Sequence, residues 1–348
     1  MATFLMQAFN KLKLFTLFWI RIVFVKNHHK LSFYKKIKAN FGGGYLADQY
    51  VLYDFDHNDK NEYLSEFDWY RSRFINDPYN NMLNNKVICT DVLKQFIKVP
   101  EIFFVKTKNK MVSYENRSSS YDEVIIKLKK EKTLYMKPIN AGKGKNVRKF
   151  DYNDEVFKID EKVVLEQDIL KLIEDQKGWF ISQTVHQADY LNKIYDKTTN
   201  TLRMIALKNY DTNIFELFFA VQRIGTKQTI PVDNGSRGGL VCNVNIETGE
   251  LSEAKSLHSL TVHAVHPDSK SQLKGTKIPG WQAIKNDIVE LSNEFPYLNF
   301  IAWDVLVTEQ GPVIIEANTS SGVNIIQIWG GQRQKGLGDF YRKHNVIK

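Results

Sequence analysis

Residues Leu298 to Gly322, LNFIAWDVLVTEQGPVIIEANTSSG, constrain this chain more than any other stretch. Two apolar runs flank Glu309-Gln310-Gly311-Pro312. That is the pattern of a β-hairpin closed by a connection of roughly three to five residues. With the turn centred on Gln310, Asp304 falls opposite Glu316 and Ala302 opposite Asn318. Alternation along a strand then puts Asp304, Glu316 and Asn318 on one face. Two carboxylates and an amide oxygen in a half-buried setting require a compensating partner. A hard divalent cation, Mg²⁺ held between protein and phosphates, meets that requirement. A wet acidic hairpin face is the plainer alternative.

A chain of 348 residues with 43% hydrophobic and 25% charged content can bury a substantial core, and its length suits about two domains. The formal net charge of +9 favours anionic partners: nucleotides, phosphorylated sugars, acidic glycans or a lipid surface. There is no zinc-finger spacing and no sustained basic-aromatic repeat, so nucleic acid is not expected. Cys89 and Cys242 have no metal-motif neighbours and build no disulfide framework, which fits a reducing cytoplasm.

The N-terminal segment Phe4 to Val25 is apolar but interrupted by Lys11, Lys13 and Arg21. It is too broken for a membrane span of ~20 residues, and no small-residue cleavage site follows it. Lys26, Lys30, Lys35, Lys36 and Lys38 continue the basic character. A helix with an aromatic side and basic neighbours suits an anionic membrane surface. Packing on its own domain, or on a second subunit in a homodimer, is the alternative. Phe41-Gly-Gly-Gly-Tyr45 lacks the Lys-Ser/Thr pair of a phosphate loop and reads as a flexible joint. Leu46 to Asn81 reads as short helices and loops packed through aromatics. Tyr70, Arg71 and Arg73 there face either a substrate or ordinary solvent.

Apolar spacing predicts a helix over Leu83 to Ile97, with Lys86 at its start, where anions are favoured. Glu101 to Val105 follows as a strand, Tyr121 to Lys130 as a helix and Thr133 to Lys137 as a strand. Pro138-Ile-Asn-Ala-Gly-Lys-Gly-Lys-Asn146 comes next. Gly142 and Gly144 allow close backbone approach, and exposed N–H groups with Lys137 and Lys143 suit phosphates. A basic surface hairpin is the alternative. Asp160 to Ile173 reads as a helix, and Gly178 to Val185 as a strand entering a hinge. A purine beside that hinge finds backbone partners, with Gln183, Thr184 and Val185 as candidates.

Asn200 to Leu207 reads as a strand whose one face carries Thr201, Arg203 and Ile205. An arginine in an apolar strand calls for an anion or a buried ion pair, for example with Asp304 or Glu316. Ile214 to Arg223 is the next strand. Asp233-Asn-Gly-Ser-Arg-Gly-Gly-Leu240 is a turn-rich loop suited to a closely approached ligand, with Ser236, Arg237 and Gly239 as candidates. Val241 to Ile246 is a strand. His258, His263 and His266 lack metal-ligand spacing and read as surface or channel residues. Gly275 to Trp281 leads into a helix ending near Phe295.

Lys86, Lys137 with its glycine loop, a hinge, Arg203, Asp304 and Glu316-Ala-Asn318, in that order, resemble the ATP-grasp superfamily over roughly residues 83 to 324. DVLVTEQGPVIIEANTSSG is similar to the metal-binding end of D-alanine–D-alanine ligases. NTLRMIAL and DNGSRGGLVCNVNIETGEL look more like the sugar-transfer-associated ATP-grasp proteins of polysaccharide biosynthesis. The resemblance implies an α+β, ATP-grasp fold holding nucleotide between two subdomains. It divides the chain into a basic amphipathic extension (1–45), a helical or mixed domain (46–102), a lid subdomain with the glycine loop (103–185) and a C-terminal subdomain (186–348).

It also implies roles. Lys86, Lys137, Gly142, Lys143 and Gly144 would bind the phosphates of ATP, with Gln183, Thr184 and Val185 beside adenine. The family often has a glutamate near Gln183, a departure here. Arg203, Lys137 and Arg237 would assist the transfer. Asp304, Glu316 and Asn318 would hold Mg²⁺. Arg223, Ser236, Arg237, Gly239, Ser320 and Gly322 would meet substrate. The implied activity is an ATP-dependent carboxylate–amine ligase, joining an amino acid or other amine to an acidic, lipid-linked or nucleotide-linked sugar for a cell-surface polysaccharide such as capsule. It would work in the cytoplasm, at the inner face of the membrane where the basic extension reaches it. A glycan kinase and a nonenzymatic glycan-binding protein on the same fold are the competing expectations.

Overall fold

The computed structural model describes residues 2–108, 110–117, 120–140 and 146–348, with backbone alone for residues 2–8, 10 and 236. It is an α+β chain. The N-terminal third is helical: α1 (Ala2–Phe18), α2 (Phe33–Phe41), α3 (Ala47–Leu52), α4 (Glu66–Ser72), α5 (Asn80–Asn84) and α6 (Lys86–Leu93). Ser65 starts α4 with a reciprocal cap: its hydroxyl accepts from Asp68 N at 3.1 Å, and the Asp68 carboxylate accepts from Ser65 N at 2.9 Å. The helix expected over Leu83 to Ile97 is instead broken at Asn85. Asn85 is extended, and its Oδ1 accepts from Val87 N (3.1 Å) and Ile88 N (3.2 Å). An asparagine satisfying the first N–H groups of a helix begins that helix rather than continuing one. The break makes Lys86 the first residue of α6.

A first sheet follows, built of β1 (Ile102–Lys106), β2 (Met111–Ser113), β3 (Thr133–Pro138), β4 (Arg148–Asn153), β5 (Val156–Ile159), β6 (Lys162–Val164) and β7 (Trp179–Gln183). Its order is β2-β1-β7-β3-β4-β5-β6. Helices α7 (Asp122–Glu131) and α8 (Glu166–Asp175) bury Val124, Ile125, Leu128, Ile169 and Ile173 in one core with Leu134, Met136, Phe150 and Ile181. The helix expected from Asp160 starts only at Glu166. Asp160 (φ 50°) and Glu161 (φ 71°) turn the β5–β6 hairpin through left-handed backbone. Such a turn is usually signalled by Asn-Gly or Asp-Gly, and Asp-Glu concealed it.

The second sheet holds α9 (Asp189–Ile194) at its entry, then β8 (Leu202–Lys208), β9 (Phe215–Ile224), β10 (Leu240–Val244), β11 (Leu251–Ser256), β12 (Val262–His263), α10 (Trp281–Asn293), β13 (Phe300–Thr308) and β14 (Gly311–Asn318). Its order is β12-β11-β10-β9-β8-β13-β14. Ala302 pairs with Asn318, and Asp304 with Glu316, as expected, but a bulge between Asp304 and Val305 shifts the remainder of the hairpin by one residue. Its link is shorter than expected, because Thr308 already pairs with Gly311. Gly311 takes φ 104°, a conformation side chains rarely adopt, so Glu309-Gln310 suffices to reverse the chain.

Strand alternation splits the second sheet's faces. Leu202, Met204, Ala206, Ile301, Trp303 and Val305 pack with α10. Ile205, Leu207, Phe300 and Ala302 pack on the other face with α11 (Val323–Gln327) and α12 (Gly336–Lys343). Continuing along that second face, the strands present Arg203, Asp304, Glu316 and Asn318 in place of apolar residues. The site is therefore the polar end of an otherwise apolar face.

Asn76 bolts the helical region to this sheet. Its Nδ2 donates to Phe300 O at 2.6 Å, and its Oδ1 accepts from Asn299 N (2.8 Å) and Phe300 N (3.2 Å). Asn76→Ala strands buried backbone groups at the start of β13. Chemical denaturation should register a loss of about 2 kcal/mol; an unchanged midpoint would mean that solvent satisfies those groups.

Candidate functional site

Three strands bring the charged residues together. Asp304 on β13 lies opposite Arg203 on β8 and opposite Glu316 on β14. The Arg203 fork engages the carboxylate from both sides, Nε to Oδ1 at 2.6 Å and one terminal nitrogen to Oδ2 at 3.0 Å. Arg223, at the end of β9, adds a contact to Asp304 Oδ1 at 3.2 Å. Its other terminal nitrogen pairs with Asp233, which also accepts from Thr201 N and Thr201 Oγ1, each at 2.7 Å. The result is a chain, Arg203–Asp304–Arg223–Asp233, that joins β8, β9, β13 and the loop after β9.

Buried charges demand such pairing. Burial alone would push the Asp304 carboxyl up. The charges of Arg203 and Arg223 and the Arg203 hydrogen bonds outweigh burial and hold it below the ordinary carboxylate value. Burial likewise opposes the charge of Arg223, but Asp233 and Asp304 keep it firmly protonated. Arg223 Nε is buried without an acceptor among the described residues.

The lysines meet the same face. Lys86 Nζ lies 3.3 Å from Glu316 Oε1. Lys86 N donates to Ile139 O at 3.2 Å, tying the start of α6 to the segment after β3. In β3, Leu134 and Met136 belong to the first sheet's core. Alternation turns Tyr135 and Lys137 to the opposite face, and Tyr135 reaches Thr199, just ahead of β8 (Oη to Oγ1, 3.3 Å). Lys137 is pushed down to about 8. Desolvation is the main cause, Glu316 opposes it and Lys86 reinforces it. Lys86, Lys137 and Glu316 thus share one electrostatic neighbourhood with Asp304.

Glu316, Asn318 and Asp304 supply hard oxygen donors of the kind Mg²⁺ takes. Glu316 is half-buried with a lysine as neighbour, and Asn318 Nδ2 points at Ala302 O (3.4 Å), which leaves its Oδ1 available. These two fit a metal directly. Asp304 fits as a shared ligand, because its oxygens already accept from both arginines.

The other candidates are more dispersed. Ser320 Oγ accepts from Trp69 Nε1 at 3.1 Å, and Gly322 precedes α11. Ser321, not anticipated, has its Oγ 3.5 Å from an Arg203 terminal nitrogen. Arg237 is exposed on the short 3₁₀ turn Gly235–Arg237. A Cβ on Gly239 would meet Asp233 O at 2.7 Å, so a glycine is required there. Gln183 pairs with Leu134, which puts it on the face away from Lys137. Thr184 Oγ1 donates to Thr133 O at 3.0 Å. Gln183, Thr184 and Val185 line a cleft of about 830 Å³ with Phe96, Lys98 and Val313. Gly142, Lys143 and Gly144 lie outside the described residues, as does the side chain of Ser236.

Asp233 and Ser321 were missed because an acid beside Asn-Gly, or a serine in a Ser-Ser-Gly run, reads as a turn former. The unpaired arginine at the end of β9 was the available signal for Asp233. His266 is not a surface residue: it is fully buried, stacks on Tyr195 and shares a hydrogen bond of 2.8 Å with Gly225 O. No group of three His, Cys, Asp or Glu side chains suited to a metal occurs among the described residues. Cys89 and Cys242 are buried, and desolvation pushes both up to about 12. Neither thiol is a nucleophile near neutral pH.

Asp304→Asn removes the charge that Arg203 and Arg223 share and should cost about 3 kcal/mol. Because the folded carboxyl is depressed, its stabilisation is complete above the unfolded-state value of about 3.9 and fades as pH falls through the folded value. Urea midpoints measured from pH 7 downward should fall less steeply below about pH 4 in the variant than in wild type. Parallel acid limbs would contradict the pairing.

The model of the family described as sugar-transfer associated ATP-grasp matches residues 68–338. No curated protein matches the sequence. Among solved structures, a D-alanine–D-alanine ligase from Coxiella burnetii is 9% identical, with 76% of this chain and 53% of that one covered at a TM-score of 0.38. The ATP-grasp ligase PsnB complexed with minimal precursor is 11% identical, with 78% and 63% covered and a TM-score of 0.41. An L-amino acid ligase from Bacillus licheniformis is 10% identical, with 71% and 42% covered and a TM-score of 0.39. The chain thus spans between 42% and 63% of these three structures. The match over residues 68–338 includes both sheets and every residue of the charged site, and the chain belongs to the sugar-transfer associated ATP-grasp family.

Proposed function

We propose that the protein is an ATP- and Mg²⁺-dependent carboxylate–amine ligase that attaches an amino acid or other amine to a sugar of a cell-surface polysaccharide or its precursor. The observation carrying this reading is the shared neighbourhood of Lys86, Lys137 and Glu316 at the charged end of the second sheet, in a chain of this family.

Lys86 and Lys137 bind the phosphates from the two sides of the site. Lys137 is suited to this because desolvation has already weakened its hold on a proton; an arriving phosphate restores its charge. The backbone of Thr184 to His186 flanks the base, a role that does not require the Gln183 side chain. Arg203, oriented by Asp304 and Ser321, faces the transferring phosphoryl group. Arg223, fixed by Asp233 and Asp304, adds positive charge on the side of the acidic substrate. Glu316 and Asn318 would hold Mg²⁺, with Asp304 sharing; the ion would supply neutralisation of phosphate charge.

The substrate carboxylate oxygen forms a bond to the γ-phosphorus as the bond to ADP breaks. The amine nitrogen then forms a bond to the acyl carbon, phosphate leaves, and the amine loses a proton to give the amide. The chain's part is positioning and electrostatics, the main demands of phosphoryl transfer. The products distinguish the chemistry: an amide, ADP and free phosphate support the ligase, whereas a phosphorylated glycan would replace it with a kinase.

Glu316→Gln should reduce Mg²⁺-dependent turnover at least about a hundredfold while leaving the unfolding midpoint near wild type. Undiminished turnover would remove Glu316 from the metal site. Calorimetry supplies a second test that needs no acceptor. With Lys137 at about 8 in the free protein, MgATP binding at pH 8.5 should take up a fraction of a proton, seen as a binding enthalpy that varies with buffer. The uptake should vanish at pH 6.5 and in Lys137→Met. Absence of any MgATP binding would sink the ligase reading altogether.

A further inference from the structure

Residues 1–47 contain seven lysines, Arg21 and neither Asp nor Glu. Eight of the nine net positive charges therefore sit in this segment. Several of its apolar side chains are exposed as well. On α2, Phe33, Ile37 and Phe41 recur at helical spacing, and all three are exposed, Phe33 by 79%. The opposite face of α2 is committed inward: Ala39 and Asn40 are buried, Asn40 Nδ2 donates to Ile22 O at 3.0 Å, and Lys35 pairs with Asp56. Phe41 meets the Trp19 ring at 6.0 Å, and Trp19 stacks on Phe24, which is 74% exposed. The patch is thus continuous from α2 to the end of the first helix. Lys26, Lys30 and Lys38 are exposed beside it and form no ion pair among the described residues.

We propose that this surface docks on an anionic lipid bilayer, lying on it rather than crossing it. Charge decides between the candidate occupants. A second copy would oppose two acid-free cationic faces across a self-complementary interface, which repel. An anionic lipid surface neutralises the lysines while taking the rings into the headgroup boundary. No helix among the described residues is long and apolar enough to span.

The same unit is joined to the acceptor end of the site. The His28 ring lies 4.3 Å from the His258 ring, and the neighbouring Leu257 would contact a Cβ placed on Gly235. Gln49 Nε2 and Tyr53 Oη both donate to Asn324 Oδ1 at 2.6 Å, two residues beyond Gly322. Docking would therefore hold loops 233–239 and 319–322 in fixed relation to the membrane, suited to a lipid-linked acceptor. That consequence rests on the ligase reading; the docking itself does not.

Sedimentation with vesicles tests the docking directly. Full-length protein should bind vesicles containing 30% phosphatidylglycerol in ~0.1 M salt and not vesicles of phosphatidylcholine alone. Phe24→Ser/Phe33→Ser and Lys26→Glu/Lys38→Glu should each lower partitioning by about tenfold or more, with MgATP affinity unchanged as evidence of an intact fold. Equal partitioning of wild type and both variants would overturn the proposal. So would a dimer in light scattering that either variant dissociates, since the patch would then be a subunit interface. MgATP binding without vesicle binding refutes the docking alone; vesicle binding without MgATP binding refutes only the ligase reading.

Discussion

The bidentate contact between Arg203 and Asp304 is what the rest of the site depends on. It sits where β8, β13 and β14 lie side by side, and it turns an apolar sheet face into a charged one without leaving a charge unpaired. Arg223 and Asp233 extend it to β9 and to the loop expected to meet substrate. Breaking one member would leave the others with an uncompensated buried charge. The arrangement also assigns different work to two carboxylates. Asp304 orients arginines first and has little capacity left, whereas Glu316 pairs with a lysine among the described residues and is the more open of the two to a metal.

Much of this was legible in the chain before any coordinates. Period-two alternation anticipated the pairing of Asp304 with Glu316 and of Ala302 with Asn318, although a bulge between Asp304 and Val305, which the pattern does not reveal, is what restores it across a two-residue link. The ion pair of Arg203 with Asp304 was one of the alternatives, beside a bound anion, for an arginine in an apolar strand. Lys137 was read from its place at the end of a strand, directly before the glycine loop. What stayed hidden has local physical causes. Asn85 divides a helix because its side chain satisfies N–H groups, an event that apolar spacing does not register. Asp160 and Glu161 adopt left-handed backbone under the demand of sheet pairing, against their helical propensity. Gln183 looked like a base contact in sequence, and its pairing with Leu134 puts its side chain on the face of the sheet away from Lys137. Asp233 was invisible because its role is defined by Arg223 and Thr201, which only the fold brings to it.

The helical region and the second sheet are parts of one construction. Asn324 and Gln327 on α11 are hydrogen-bonded to Gln49, Tyr53 and Leu64 in the helical region, and Trp69 reaches Ser320. The helical region thereby fixes the loop after β14.

The central claim is that the acidic hairpin face is the metal-holding wall of a nucleotide site. Anomalous scattering from crystals grown with Mn²⁺ and a non-hydrolysable ATP analogue tests it most directly. The account predicts a manganese peak at about 2.1 Å from Glu316 and Asn318 oxygens, with the triphosphate between Lys86 and Lys137. Nucleotide bound with its metal away from Glu316, or with its phosphates away from both lysines, would contradict it.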